Sequence, residues 1–122
     1  MNRHSVLIVE DEAVSRRALS ALLMLSGHDT LAVPTAEEAL DLVGAGQIPE
    51  FALVDLDLPG MNGMDLIRRL RRDHPEVIPV LITATSRERI ERLKDEHDVK
   101  YMRKPIDLVT LLNLLDKGGR AS

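Results

Sequence analysis

The chain has 122 residues, of which 44% are hydrophobic and 30% charged, and this size favours one globular domain over two. It contains no cysteine, which excludes disulfide bonds and thiolate metal sites, and its net charge of −4 gives no general attraction to nucleic acid. No apolar run reaches membrane-spanning length and no secretory leader is recognisable. We therefore expect a cytoplasmic protein that binds neither membranes nor nucleic acid directly.

The first half of the chain predicts two strands and two helices. Short runs rich in Val, Leu and Ile predict strands at Val6–Val9 and Leu31–Val33. The helix between them ends near Gly27. Its expected apolar face recurs at helical spacing and consists of Val14, Ala18, Ala21, Leu22 and Leu25. Thr35 and Glu38 have the spacing of a capping box, which places the start of the second helix.

The second half repeats this alternation three times. Strands are predicted at Phe51–Val54, Ile78–Ile82 and Val99–Met102. Helices are predicted at Gly63–Asp73, at Arg87–Glu96, and over the apolar positions Leu108, Leu111, Leu112 and Leu115. The fourth helix offers only Ile90 and Leu93 to a core, so we expect it to be weakly anchored. The four histidines match no metal-binding spacing, and no role is assigned to them.

Five alternations of strand and helix are typical of a doubly wound α/β fold. Near-continuous hydrophobicity in the first and fourth strands indicates that both faces of a parallel sheet are covered. In such sheets ligands bind beyond the carboxyl ends of the strands. The residues that follow each strand are therefore the candidates for function.

Polar side chains follow four of the five predicted strands. They are Glu10 and Asp11, Asp55 and Asp57, Thr83, and Lys104. Carboxylates that lie close together repel one another unless a cation binds them, and oxygen ligands select a hard ion such as Mg²⁺ or Mn²⁺. A lysine and a threonine can bind phosphoryl oxygens, and an aspartate can accept the phosphoryl group as a nucleophile. Each residue alone has a simpler explanation as a helix-entry, loop or surface residue, but their combination predicts a phosphoryl-acceptor site.

These residues lie in stretches that resemble the receiver domains of two-component response regulators. The stretches are Val6–Glu12, Leu53–Gly63, Thr83–Ala84 and Lys104–Pro105. The resemblance implies a flavodoxin-like (βα)5 three-layer sandwich with a five-stranded parallel sheet of order 2-1-3-4-5. It also implies that residues 1–117 form the receiver (response regulatory) domain and that residues 118–122 are a tail or the start of a linker.

The resemblance also implies roles for the acidic residues. Asp55 would be the phosphorylated aspartate and also a metal ligand, and Asp11 would bind Mg²⁺ or Mn²⁺ directly. Glu10 would act through metal-bound water, and Asp57 would contribute its backbone carbonyl. Glu10 departs from the family pattern, in which aspartate is commoner at this position, and its extra methylene affects metal affinity.

A second set of implied roles concerns the switch. Thr83 would move its hydroxyl towards the phosphoryl group, Tyr101 would turn inward in response, and Lys104 would pair with phosphoryl oxygens. The bond between Lys104 and Pro105 would be cis. The donor would be a sensor histidine kinase or a histidine phosphotransfer protein. The output face would be the fourth helix, fifth strand and fifth helix. Leu114 and Val109 lie off the main apolar stripe of the fifth helix and are candidates for contact with a partner or with a second copy in a homodimer.

Two other functions fit parts of the pattern. Asp55-Leu56-Asp57 after an apolar strand is similar to the Asp-x-Asp motif of haloacid-dehalogenase-like phosphohydrolases, in which the first aspartate is the nucleophile. Leu58-Pro59 and the mid-chain position of the motif depart from that family. A phosphate-independent pseudo-receiver would keep the fold as a binding module. The intact acidic, hydroxyl and lysine set argues against it, so we expect a signalling domain that assists its own phosphorylation and dephosphorylation, and no other enzyme activity.

Overall fold

The computed structural model describes residues 3–96 and 99–118 and contains the expected alternation of strands and helices. The elements are β1 (Ser5–Val9), α1 (Ala13–Leu25), β2 (Asp29–Val33), α2 (Ala36–Gly44), β3 (Phe51–Asp55), α3 (Gly63–Asp73), β4 (Ile78–Thr83), α4 (Arg87–Glu96), β5 (Lys100–Arg103) and α5 (Leu108–Asp116). The predicted tail at 118–122 falls largely outside the described residues. Within those residues no helix combines the length and apolar character needed to cross a membrane.

The five strands form one parallel sheet in the order β2-β1-β3-β4-β5. Strands β1, β3 and β4 lie in the interior of the sheet and are almost completely buried. The predicted fold class and strand order are therefore confirmed. The carboxyl ends of β1, β3, β4 and β5 meet at one edge, which is where the candidate residues lie.

Two apolar clusters fill the space on either side of the sheet. Residues of α2 and α3 pack on one face, and residues of α1 and α5 pack on the other. Both clusters are built mainly from aliphatic side chains, and the cluster beneath α1 and α5 also contains the buried Phe51. Burial of aliphatic side chains on both faces is the main stabilising contribution, at roughly 25 cal/mol per Å² of apolar surface.

The starts of the helices follow local capping chemistry. Thr35 accepts a hydrogen bond from the backbone N–H of Glu38 at 3.1 Å, as the predicted capping box requires. Asn62 accepts one from the N–H of Asp65 at 3.0 Å and so fixes the first residue of α3. This second cap determines where the loop after Asp55 ends.

The predicted core face of α1 is wrong. Its buried residues are Leu19 and Leu23, whereas the predicted positions are exposed, with Val14 at 73% and Leu25 at 85%. The helix packs on the sheet through one apolar stripe and presents a second stripe outward. That outward stripe consists of Val14, Ala18, Ala21, Leu22 and Leu25.

Two buried histidines occupy the opposite end of the sheet from the candidate site. The rings of His4 and His28 are stacked with centroids 5.3 Å apart, and Phe51 contacts His4 edge-on. The backbone N–H of His4 donates to Nδ1 of His28 at 3.1 Å, so that nitrogen cannot carry a proton while the bond exists. Burial, followed by the proximity of His4, lowers the pKa of His28 below its ordinary value.

This arrangement predicts that His28 makes a contribution to stability that is lost in mild acid. Because the folded-state pKa of His28 is lowered, this residue binds more protons in the unfolded chain below about pH 6.5, and its contribution to the free energy of unfolding falls as the pH decreases. Glu10, whose pKa is raised to about 7, contributes a slope of opposite sign in the same range, so the effect of His28 is the difference between wild type and variant. Urea unfolding of both proteins between about pH 7.5 and pH 5 measures this difference. His28→Asn keeps an acceptor for His4 and should gain stability relative to the wild type as the pH falls, whereas His74→Asn should keep the wild-type slope. An unchanged slope in His28→Asn would contradict the assignment.

Candidate functional site

Lys104 joins two carboxylates at the carboxyl edge of the sheet. Its Nζ donates to Oε1 of Glu10 at 2.6 Å and to Oδ2 of Asp55 at 2.8 Å. Glu10 follows β1 and Asp55 ends β3, and both are buried, with relative exposures of 4% and 5%. The sheet thus brings a lysine after β5 to residues 94 and 49 positions earlier in the chain.

Three carboxylates form a potential metal site beside this lysine. Glu10, Asp11 and Asp55 each offer an oxygen, and these oxygens lie within 4.8 Å of one another. Asp11 is exposed, so the site is open to solvent on its side. An open, oxygen-only donor set fits Mg²⁺ or Mn²⁺, which retain water and accept few protein ligands.

The charges of the three interacting side chains are unequal. Burial, together with the neighbouring Asp55, raises the pKa of Glu10 to about 7, against the opposing effect of Lys104. Burial would also raise the pKa of Asp55, but hydrogen bonds from Glu10, Lys104 and the Asp57 N–H outweigh it, so that pKa is lowered. Burial opposes the charge on Lys104, yet its two carboxylate partners raise its pKa. Asp55 is therefore ionised at neutral pH, whereas Glu10 lies close to its midpoint, and a bound cation would favour its ionised form.

The loop after β3 holds Asp55 in place through backbone contacts. The Asp57 N–H donates to Oδ1 of Asp55 at 3.0 Å, and the Gly63 N–H donates to the carbonyl of Leu56 at 3.0 Å. A Cβ at Gly63 would overlap the Asp55 carbonyl oxygen and lie 2.8 Å from Cα of Leu56. The first residue of α3 therefore has to be glycine for the helix to approach the acidic residue this closely.

Arg16 braces the loop after β1, a contact that the sequence analysis missed. Its Nη1 donates to the backbone carbonyls of Glu10 and Asp11 at 3.0 and 3.3 Å. Glu12 caps α1 by accepting from the N–H groups of Val14 and Ser15. An arginine in the first turns of a helix is not distinctive in sequence, so only the fold identifies this contact.

Thr83 ends β4, the strand next to Asp55, and Tyr101 lies on β5, one strand further along the sheet. Thr83 is completely buried, and its Oγ1 accepts from the N–H of Thr85 at 2.9 Å. Its carbonyl accepts from the backbone N–H of Lys104 at 2.8 Å, and the bond between Lys104 and Pro105 is cis, as predicted. Tyr101 is half-buried and packs against the cluster beneath α2 and α3.

A mostly apolar cavity of about 540 Å³ opens next to the acidic residues. It lies between α1 and the segment that follows β5, and both Asp55 and Lys104 line it. Leu22 of the outward stripe on α1 lines the same cavity. The charged site and the exposed apolar stripe are therefore continuous.

The model of the response regulator receiver domain family matches residues 6–116 of this chain. The chain belongs to that family. Receiver domains are phosphoacceptor signalling units of two-component systems, and this receiver domain shares their general role. The assignment also favours the receiver interpretation of Asp55-Leu56-Asp57 over the phosphohydrolase one.

Several bacterial regulators contain a similar receiver domain. The two-component response regulator PhoP of Pseudomonas aeruginosa is 40% identical over 108 residues, which are 87% of this chain and 47% of PhoP. Protein PilH of the same species is 30% identical over 114 residues, or 91% of this chain and 93% of PilH. A cyclic di-GMP phosphodiesterase of Thermotoga maritima is 30% identical over 108 residues, or 88% of this chain and 28% of that protein.

Coverage differs among these relatives. The receiver domain spans between about a quarter and a half of the length of the phosphodiesterase and PhoP, but nearly all of PilH. Among solved structures, a CheY-like receiver domain protein from Methanospirillum hungatei superposes with a TM-score of 0.84 at 21% identity, over 95% of this chain and 93% of the other. That superposition supports the fold.

Proposed function

We propose that this receiver domain accepts a phosphoryl group on Asp55 in a reaction that depends on Mg²⁺ or Mn²⁺. The observation that carries the proposal is the bridge from Lys104 to Asp55 and Glu10 beside the exposed carboxylate of Asp11. We further infer that residues 1–117 act as one receiver unit in the cytoplasm, with the residues from 118 onward as a tail or linker.

Each side chain of the site has a separate role in phosphoryl transfer. The ionised carboxylate of Asp55 attacks phosphorus, a P–O bond forms, and the bond from phosphorus to the donor breaks. Lys104 neutralises a phosphoryl oxygen, while the Asp57 N–H keeps the acceptor carboxylate oriented. Glu10, Asp11 and the backbone carbonyl of Asp57 would hold the cation, which supplies charge neutralisation to the transferring group.

The phosphodonor is a phosphohistidine on a sensor histidine kinase or a histidine phosphotransfer protein. The outward stripe of α1 supports this, because an exposed apolar surface adjoining the acceptor suits a protein partner better than a small molecule alone. Arg16 and Arg17 are the charged residues within α1, so a helix carrying acidic and apolar residues would complement it.

Docking on this stripe predicts a selective effect of Leu25→Glu. Leu25 is 85% exposed, so the substitution should not unfold the domain. Transfer from a phosphorylated phosphotransfer protein should slow by about tenfold, because one apolar contact of an interface is lost. Phosphorylation by acetyl phosphate should not change. Ile48→Glu, at an exposed apolar residue of the α2–β3 loop, is the control. Equal slowing with both donors would contradict docking at α1.

Phosphorylation is read out at the surface formed by α4, β5 and α5. Thr83 leaves its contact with the Thr85 N–H to bind the phosphoryl group, and Tyr101 turns inward behind it. Val109 on α5 is 66% exposed and is available to an output partner or a second copy. Leu114 packs against the core, which leaves Val109 as the better candidate of the two for such a contact.

Incubation with acetyl phosphate tests the central proposal. With Mg²⁺, intact mass should increase by one phosphoryl group, and the increase should disappear with chelator or in Asp55→Asn. Asp57→Asn is the matched variant, because it changes a neighbouring carboxylate without removing the acceptor. A modified Asp55→Asn would refute the assignment of the acceptor. No adduct in the wild type, together with no binding of beryllofluoride, would identify a pseudo-receiver, and turnover of a phosphomonoester would identify a hydrolase.

A further inference from the structure

An ion pair joins α4 to the loop that carries the acceptor. Nη1 of Arg89, in the first turn of α4, lies 4.0 Å from Oδ1 of Asp57, and the two side chains are 48% and 62% exposed. The backbone N–H of Asp57 donates to Oδ1 of Asp55 at 3.0 Å. One residue therefore contacts both the acceptor carboxylate and the arginine of α4.

Two hydrogen bonds lie at the same end of α4. The Thr85 N–H donates to Oγ1 of Thr83 at 2.9 Å, and Oγ of Ser86 accepts from the N–H of Arg89 at 3.2 Å. The helix itself buries little apolar surface, with Ile90 buried and Leu93 partly buried. Polar contacts at its first turn therefore contribute a large share of what keeps α4 in position.

We propose that Arg89 is a positioning residue, whose ion pair with Asp57 holds α4 in its resting place against the acceptor loop. This inference rests on the proposed function, in which Thr83 turns towards the phosphoryl group. That movement breaks the contact between Thr83 and Thr85, after which the pair of Arg89 with Asp57 opposes displacement of α4. A contact that exists only in the resting state stabilises that state, and it therefore lowers the affinity for any ligand that binds the rearranged state.

Two variants distinguish this latch, meaning the ion pair between Arg89 and Asp57 that holds α4, from a simple effect of charge on anion binding. Arg89→Ala and Asp57→Asn both remove the ion pair, so both should increase the affinity for beryllofluoride at saturating Mg²⁺, by about two- to fivefold for a half-exposed pair. The double variant should show no further increase. A charge effect would instead give changes of opposite sign, because one variant removes a positive charge and the other a negative one near the anion.

Hydrogen exchange of the α4 backbone tests the latch without any phosphoryl ligand. In the absence of metal and phosphodonor, the amides of residues 90–93 should exchange about two- to fivefold faster in Arg89→Ala and in Asp57→Asn. Arg89→Lys keeps the charge and should restore slow exchange at low salt, an effect that weakens as ionic strength rises. Arg92→Ala, one turn along the same helix, is the matched control and should exchange like the wild type.

The outcomes distinguish the latch from the proposed function. Equal exchange in Arg89→Ala and Arg92→Ala, or additive effects in the double variant, would overturn the role of Arg89. Failure of the wild type to bind beryllofluoride or to accept phosphate would instead overturn the phosphoacceptor proposal. The exchange measurement still decides whether Arg89 holds α4 in that case.

Discussion

Gly63→Ala should destabilise the domain by about 3–5 kcal/mol, a large part of the roughly 5–15 kcal/mol by which domains are stable. The added Cβ would overlap the Asp55 carbonyl oxygen and lie 2.8 and 2.9 Å from Cα of Leu56 and the carbonyl carbon of Asp55. All of these are backbone atoms of a buried strand end, which cannot move aside as a flexible side chain would. Helix α3 or the acceptor loop must therefore shift.

Chemical denaturation measures the loss, and Gly44→Ala provides the control. Gly44 is the last residue of α2, and a Cβ there meets nothing within 4 Å. Alanine is the better helix former, so this variant should equal the wild type or be up to about 1 kcal/mol more stable. If Gly63→Ala were as stable as Gly44→Ala, the close approach of α3 to the acceptor would have no energetic importance.

The same substitution should also reduce phosphorylation in the fraction that folds. A shift of the Asp55 carbonyl moves the carboxylate away from Lys104 and from the Asp57 N–H. Positioning accounts for most of phosphoryl-transfer catalysis, so small displacements have large effects on rate. Adduct formation from acetyl phosphate, measured under conditions where the protein is folded, should fall by at least about tenfold.

The alternation of strands and helices and the polar residues at the strand ends were predictable because their signals are local. Each interior strand is a short apolar run, and each ends directly at a polar residue such as Glu10, Asp55 or Thr83. A parallel sheet places those ends at one edge, whereas the order of the strands, which decides the neighbours, was implied by the resemblance to receiver domains. The structure places Lys104 between Glu10 and Asp55, whereas the functional roles of these residues remain proposals.

The buried face of α1 was not predictable from its sequence pattern. Apolar residues run without interruption from Ala21 to Leu25, so the pattern allows two different helical faces to be buried. In the structure Leu19 and Leu23 are buried against the sheet, and the alternative stripe remains exposed beside the cavity at Asp55. A prediction from periodicity assumes that a helix has a single apolar face. It cannot identify the buried face of a helix such as α1, which has two.

Contacts between distant segments were also beyond the sequence analysis. Nothing near Arg89 in the chain indicates a contact with Asp57, and nothing near Gly63 indicates that its Cβ position is filled by the Asp55 backbone. Such contacts depend on the spacing of whole elements. They require the assembled fold.

Lys104→Met should reduce phosphorylation from acetyl phosphate by about 10²- to 10³-fold at saturating Mg²⁺. Methionine keeps an unbranched apolar stem but removes the ammonium that lies 2.6 Å from Glu10 and 2.8 Å from Asp55. The transferring phosphoryl group would then meet two carboxylates without this compensating charge. Lys100→Met, at an exposed position of β5, removes the same charge from the protein and should leave the rate unchanged.

The free energy of unfolding of Lys104→Met should depend on pH, and the raised pKa of Glu10 determines the direction of that dependence. In the wild type the pKa of Glu10 is already raised to about 7, chiefly by burial and next by Asp55, and Lys104 opposes the rise more strongly than the Glu12 N–H does. Without Lys104 the folded-state pKa of Glu10 lies further above its unfolded value, so the unfolded chain binds fewer protons and stability falls as the pH rises from about 6 to 8. Added Mg²⁺ should recover part of that loss by neutralising the same carboxylates. Urea unfolding of both lysine variants across this range measures the difference, and parallel pH profiles would show that Lys104 is not the cation that keeps Glu10 and Asp55 together.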